Sequence, residues 1–218
     1  MADTPGIPDT PHTLDIDELL TRTPTVRRRL DLSRPVSRPL LAECLQLALH
    51  APNGGNRQNW RFLVIDDPGT KAGIARHYKS ASDAYLAATP PTAMSEKAVA
   101  GVRYLADHLH EVPALVLACA RGRLPDDAPL ARQSSFFGTI YPALWSFMLA
   151  ARSRGLGTAL TTVHLAHERE VAALVGLPAD EFTQVALVAV GHVTGGPGFR
   201  RTRRKPLDDV MSWNRWDS

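Results

Sequence analysis

Two short runs, ALVLACA at 114–120 and QVALVAVGH at 184–192, constrain the fold more than any other feature of this chain. Neither leaves a clear polar side to face water, and both are strand-length rather than helix-length. Strands of this kind sit centrally in a sheet whose faces are covered, so helices must supply the covers. SSFFGTIYPALWSFMLAARSRGLG predicts one such helix. Ile140, Leu144, Phe147, Met148 and Ala151 line one face, and Trp145 and Leu149 make another flank apolar. A helix apolar nearly all round is buried, in a core or in a subunit interface.

The rest of the pattern alternates around these elements. RFLVID (61–66) and TALTTV (158–163) read as two more strands. Helices are predicted over 15–22, from Ser37-Arg38-Pro39 through LLAECLQLALH, over 70–79 and 94–110, and through HEREVAALVGLP. Leu41, Cys44, Leu45 and Ala48 follow helical spacing, Pro90-Pro91 interrupts the middle of the chain, and Gly155 and Gly157 close the long helix. The expectation is a mixed sheet flanked by helices, in one domain over 14–218 with a C-terminal arm. MADTPGIPDTPHT reads as a disordered leader over 1–13 with no apolar signal segment.

Composition removes several classes. No run approaches the roughly 18 apolar residues of a membrane span. The only cysteines, Cys44 and Cys119, lie in apolar segments, which suits a reducing cytoplasm. His164, His167 and Glu168 cluster without a third ligand at a telling distance, so no metal site is expected. Neither G-x-S-x-G nor G-x-x-x-x-G-K-[ST] occurs, and GLGTAL lacks the third glycine of a dinucleotide fingerprint. The carboxylates are scattered, and no catalytic side chain is expected.

The net charge of +3 is unevenly spread, with Arg27-Arg28-Arg29 near the start and RRTRRK (200–205) near the end. These runs are short and carry no nucleic-acid motif, and the aromatics lie elsewhere, so a nucleic-acid partner is not expected. An anionic cofactor suits them better, because two arginine groups can converge on one phosphate if the termini meet. One stretch remains unexplained by turn formation: HAPNGGNRQNW, 50–60, joins helix to strand with far more hydrogen-bonding side chains than a corner needs.

Taken together, these landmarks resemble the nitroreductase family of FMN-dependent flavoproteins. TVRRRLDLSRPV resembles its basic R-x-S-x-R opening and the "PV" segment after it. APNGGNRQNWRFLVI resembles "APS-x-x-N-x-Q-P-W-x-F-x-V". IYPALWSFMLAARSRGLGTALTT is similar to its long helix with a Gly-Leu-Gly-Thr exit, and VGLPADEFTQVALVAVGH with RRKPLDDV to its last strand and closing basic motif. The resemblance runs from about 21 to 210 and is weakest over 70–112.

The resemblance implies an α+β fold, a homodimer joined through long helices, and an FMN at each of two interfacial sites. NADH or NADPH would supply the hydride, and a nitroaromatic, quinone or other electron-poor compound would receive it. An FMN store or sensor without turnover is the alternative. Arg27 and Arg28, with Arg203, Arg204 and Lys205, would hold the FMN phosphate. Asn53, Asn56 and Gln58 would reach the flavin and ribityl chain, and Thr161 and Thr162 would run beside the ring. Trp145 and Phe147 would line the partner's pocket or pack in the core. The chain departs from the family at Pro24 and Thr25, at Asn59 where proline is usual, and at Trp145-Ser146.

Overall fold

The computed structural model describes residues 15–196 and 198–216; the leader expected over 1–13 lies outside them. Short helix α1 (Ile16–Thr21) precedes α2 (Arg38–Ala48), β1 (Trp60–Ile65), α3 (Pro68–Ala88) and α4 (Glu96–His108). Then come β2 (Ala114–Arg121), α5 (Leu130–Ser153), β3 (Leu156–Thr161), α6 (Glu168–Val175) and β4 (Phe182–His192). Among the described residues, no helix is long and apolar enough to cross a membrane.

The four strands form one sheet in the order β1-β2-β4-β3. The two continuous apolar runs, β2 and β4, take the centre. Every pairing is antiparallel, which corrects the expected mixed sheet while leaving the class α+β. The physical reason is that a continuous apolar run reports burial on two faces and carries no information about strand direction.

Side chains on β2 and β4 alternate between two cores, as a period of two requires. Val116, Ala118 and Ala120, with Val188 and Val190, pack against Leu41 and Cys44 of α2 and Leu144 and Phe147 of α5. Leu115, Leu117 and Cys119, with Leu187 and Ala189, pack against Ile74 and Tyr78 of α3 and Leu105 of α4. A bulge between Ala118 and Cys119 shifts the register on β4, and the Gln184 side chain beside it donates to the Glu168 carbonyl at 2.7 Å.

Capping sets the helix starts. Ser37, Asp67 and Ser95 each accept a backbone N–H in the first turn of α2, α3 and α4. Helix α3 runs nine residues beyond its expected end at 79, until Thr89 and Pro90 stop it. The long α5 packs on α2 and ends at Gly155, whose φ of 77° is open to glycine. Gly157 lies inside β3 instead of ending the helix. A Cβ there would stand 2.9 Å from Val193 and 3.0 Å from Val26, so only glycine lets the N-terminal segment lie this close to β3.

Candidate active site

The polar loop between α2 and β1 is braced by its own side chains. Gly55, Asn56 and Gln58 all hold positive φ, at 63°, 51° and 47°. Glycine adopts this conformation freely; Asn tolerates it and Gln does so at a cost. Two hydrogen bonds offset that cost. The Gln58 backbone N–H donates to Asn53 Oδ1 at 3.0 Å, and Gln58 Nε2 donates to Asn56 Oδ1 at 3.0 Å. Asn53, Asn56 and Gln58 thus come together as a unit, leaving both asparagine amide N–H₂ groups and Gln58 Oε1 without an intraloop partner.

A second set of expected residues gathers on the opposite edge of the sheet. The segment after α1 is tied to β3 and β4 through Val26 N to the Thr158 carbonyl (2.8 Å), Asp31 N to the His192 carbonyl (2.8 Å) and the Leu30–Val193 bridge. That docking puts Arg27 in a cavity of about 260 Å³ with Thr161, Thr162 and Val163 at the exit of β3, and with Tyr78 and Tyr85 of α3. Tyr78 gives no signal in the sequence because an aromatic in a helix normally marks core packing, and Tyr85 gives none because it lies beyond the expected end of α3 at 79. Arg28 parts from Arg27. It lines a neighbouring cavity of about 610 Å³ with Glu96, Arg103 and Tyr104 of α4.

The third arginine of the run does something else. Arg29 donates to the carbonyls of Thr194 (2.9 Å), Gly195 (3.2 Å), Gly196 (2.7 Å) and Gly198 (3.3 Å), and lies 4.5 Å over the Phe199 ring. Arg152 of α5 meets the same ring at 4.5 Å. Farther along, Thr202 N donates to the Thr21 carbonyl at 3.3 Å, so the C-terminal basic run packs against the end of α1, and Arg29 reaches the residues just before it. Arg203, Arg204 and Lys205 follow directly and are exposed. None of the three makes an ion pair among the described residues; Arg204 bonds only to the Arg203 carbonyl, at 3.1 Å.

The two halves do not meet on one chain. β1 and β3 occupy opposite edges of the sheet, about 14 Å apart at ordinary strand spacing. Thr161 is level with Leu187, Leu117 and Leu63, three residues short of Trp60 at the end of the polar loop. On α5, Phe147 is fully buried in the core, the packing alternative of the two, while Trp145 is 38% exposed.

Several titratable groups elsewhere are buried or paired within the fold. Burial pushes the Cys44 thiol up to about 11 and that of Cys119 to about 12, so neither is a nucleophile. Burial works to raise the Glu168 carboxyl, but the Arg123 fork at 2.8 and 3.1 Å and the Gln184 N–H at 3.0 Å outweigh it and hold it low. His164 is buried, and His167 faces the His77 ring at 5.3 Å. Among the described residues, no group of three or more metal-ligating side chains forms.

Known proteins share this architecture. The sequence matches the nitroreductase family over residues 21–192. It is 30% identical over 195 residues to an NADH dehydrogenase of Thermus thermophilus, covering 82% of this chain and 87% of that one. It is also 30% identical over 161 residues to a 5,6-dimethylbenzimidazole synthase of Rhodospirillum rubrum, covering 72% of each. Among solved structures, oxidized iodotyrosine deiodinase bound to FMN and 3-iodo-L-tyrosine superposes with a TM-score of 0.72 at 25% identity. That match covers 92% of this chain and 99% of the other.

Proposed function

The chain belongs to the nitroreductase family, and from that premise we propose an FMN-dependent oxidoreductase that takes hydride from NADH or NADPH. The carrying observation is the shared cavity of Arg27, Thr161 and Thr162 at the exit of β3. The names of two relatives support donor and cofactor, one an NADH dehydrogenase and the other a deiodinase with FMN bound. The acceptor we assign is an electron-poor organic compound such as a quinone or a nitroaromatic.

The residues fit the cofactor. Arg27, Arg203, Arg204 and Lys205 offer cationic donors to a phosphate dianion, and Thr161 and Thr162 offer hydroxyls and backbone beside a ring. Asn53, Asn56 and Gln58 offer the spare amide groups. Arg28, turned into its own cavity, serves the phosphate less directly. Bound FMN supplies the hydride chemistry, which is why no protein acid, base or metal is required.

One chain offers too little room. The Arg27 cavity, about 260 Å³, falls below the roughly 300–1,000 Å³ of small-molecule sites. We therefore infer a homodimer in which the polar loop of one protomer closes the Arg27 half-site of the other. Leu47 in the last turn of α2 and Leu49 just after it, Tyr141 and Trp145 on α5, and Trp213 and Trp216 on the arm are exposed and would be covered there. The free buried thiols accord with a cytoplasmic enzyme.

An anaerobic titration of the purified yellow protein tests this reading. NADH or NADPH should bleach the flavin band, and an added quinone should restore it. Retained FMN that neither donor bleaches would indicate a flavin store or sensor instead. Arg203→Ala with Arg204→Ala should weaken FMN binding about tenfold or more, given the worth of charge-assisted hydrogen bonds. Unchanged affinity would reduce this run to plain surface.

A further inference from the structure

Four arginines from three parts of the chain line one cavity of about 650 Å³: Arg57 of the polar loop, Arg121 and Arg123 at the exit of β2, and Arg132 in the first turn of α5. No carboxylate lines it. Two of the four are already engaged. Arg123 grips Glu168 through both terminal nitrogens, and Arg121 stands 3.8 Å from Glu181 and 4.9 Å from the Phe182 ring centre. Arg57 and Arg132 are exposed, and their side chains make no ion pair or hydrogen bond among the described residues. Two unpaired cations held at one cavity repel each other, and an anion between them removes that repulsion.

A further group in the wall lacks a partner. Asn59 lines the same cavity, and its Oδ1 is buried without a hydrogen bond. Amide oxygen and nitrogen are interchangeable by a flip, so this side chain can present an N–H₂ to an acceptor. Ser135 and Thr139 add hydroxyls from α5. Donors arriving from several directions suit a tetrahedral oxyanion with three or more acceptor oxygens, whereas a planar carboxylate satisfies a single arginine fork. The volume leaves room for more than a phosphate, as a nucleotide requires. Asn59 is also the position where the chain departs from the family's proline, so the donor belongs to this chain in particular.

We propose that this cavity binds a phosphate group of the nicotinamide donor, the diphosphate or the 2′-phosphate, with Arg57 and Arg132 as the binding pair. The proposal rests on the oxidoreductase reading, because it names the occupant as that reaction's donor. Gly54 and Asn59 line the cavity and also belong to the loop assigned to the flavin, so a dinucleotide anchored here has its phosphates beside the flavin half-site.

Calorimetry on the FMN-loaded protein separates this from catalysis. Inorganic pyrophosphate and adenosine 2′,5′-bisphosphate should each bind at low salt. Arg57→Gln with Arg132→Gln should weaken both by about tenfold or more, with flavin content and thermal midpoint unchanged, since neither side chain makes an ion pair or hydrogen bond among the described residues. Tighter binding of the 2′,5′-bisphosphate than of ADP would assign the site to the 2′-phosphate, and the reverse order to the diphosphate. No binding of either probe to the wild-type protein, or equal binding to the double variant, would overturn the proposal. If the donors fail to bleach the flavin while the probes bind as expected, the oxidoreductase reading fails and the anion site stands.

Discussion

His164 shows most plainly how an isolated side chain can control stability. It is fully buried in the turn Val163–His167, and neither ring nitrogen has a hydrogen-bond partner. Burial pushes its pKa down from 6.5 to about 4, against the weaker pull of the Glu168 charge. The folded protein therefore keeps the ring neutral while the unfolded chain takes a proton below about pH 6.5. Stability is intact above that pH and falls as the pH drops towards 4. From this residue alone, unfolding free energy should be about 2 kcal/mol lower at pH 5 than at pH 7. Urea titrations of wild type and His164→Leu at both values give the difference. Equal pH dependence in the two proteins would show that the ring is not the group responsible. Sequence alone made His164 a weak ligand candidate; its burial depends on α3 lying across it, which no local pattern encodes.

At the level of elements, the strands and helices were legible because each rests on a periodic or capped pattern. The long α5 and the central β2 and β4 were found where their apolar runs placed them. Strand direction was not legible, since pairing depends on which connections the helices allow. The far half of α3 was also missed, because YKSASDAYLAA is rich in small and polar residues and shows little periodicity. For the candidate site, the loop and the basic runs stood out by composition, but the separate duties of Arg27, Arg28 and Arg29 did not. Three identical residues in a row differ only in what the fold brings to them. Arg29 has a large consequence for its element, because its guanidinium collects the carbonyls that β4 leaves behind. Arg29→Ala should lower stability by roughly 2 kcal/mol and weaken FMN binding by loosening the segment that leads to Arg203. Arg29→Lys should rescue little, as an ammonium cannot reproduce a planar fork serving several carbonyls. Full rescue by lysine, read from urea midpoints, would mean that charge alone suffices.

For the molecule as a whole, the decisive fact is that the Arg27 cavity and the polar loop occupy opposite edges of one sheet. A helix-lined sheet of four strands cannot fold its edges together, so a ligand that needs both halves needs two chains. In the homodimer proposed above, two-fold symmetry would make two equivalent sites, each borrowing one half from either protomer. This arrangement has a quantitative signature. Let one chain carry Arg27→Glu, which places like charge against a phosphate, and another carry Asn53→Ala with Gln58→Ala. Each homodimer is damaged at both sites. In a heterodimer, both lesions fall on one site and the other is assembled from intact halves. Random pairing makes half of the dimers mixed, so co-expression should return FMN occupancy to about one quarter of the wild-type level. Flavin absorbance per protomer in the co-purified dimer measures it directly. Occupancy no higher than that of either homodimer would mean that each chain holds its flavin alone.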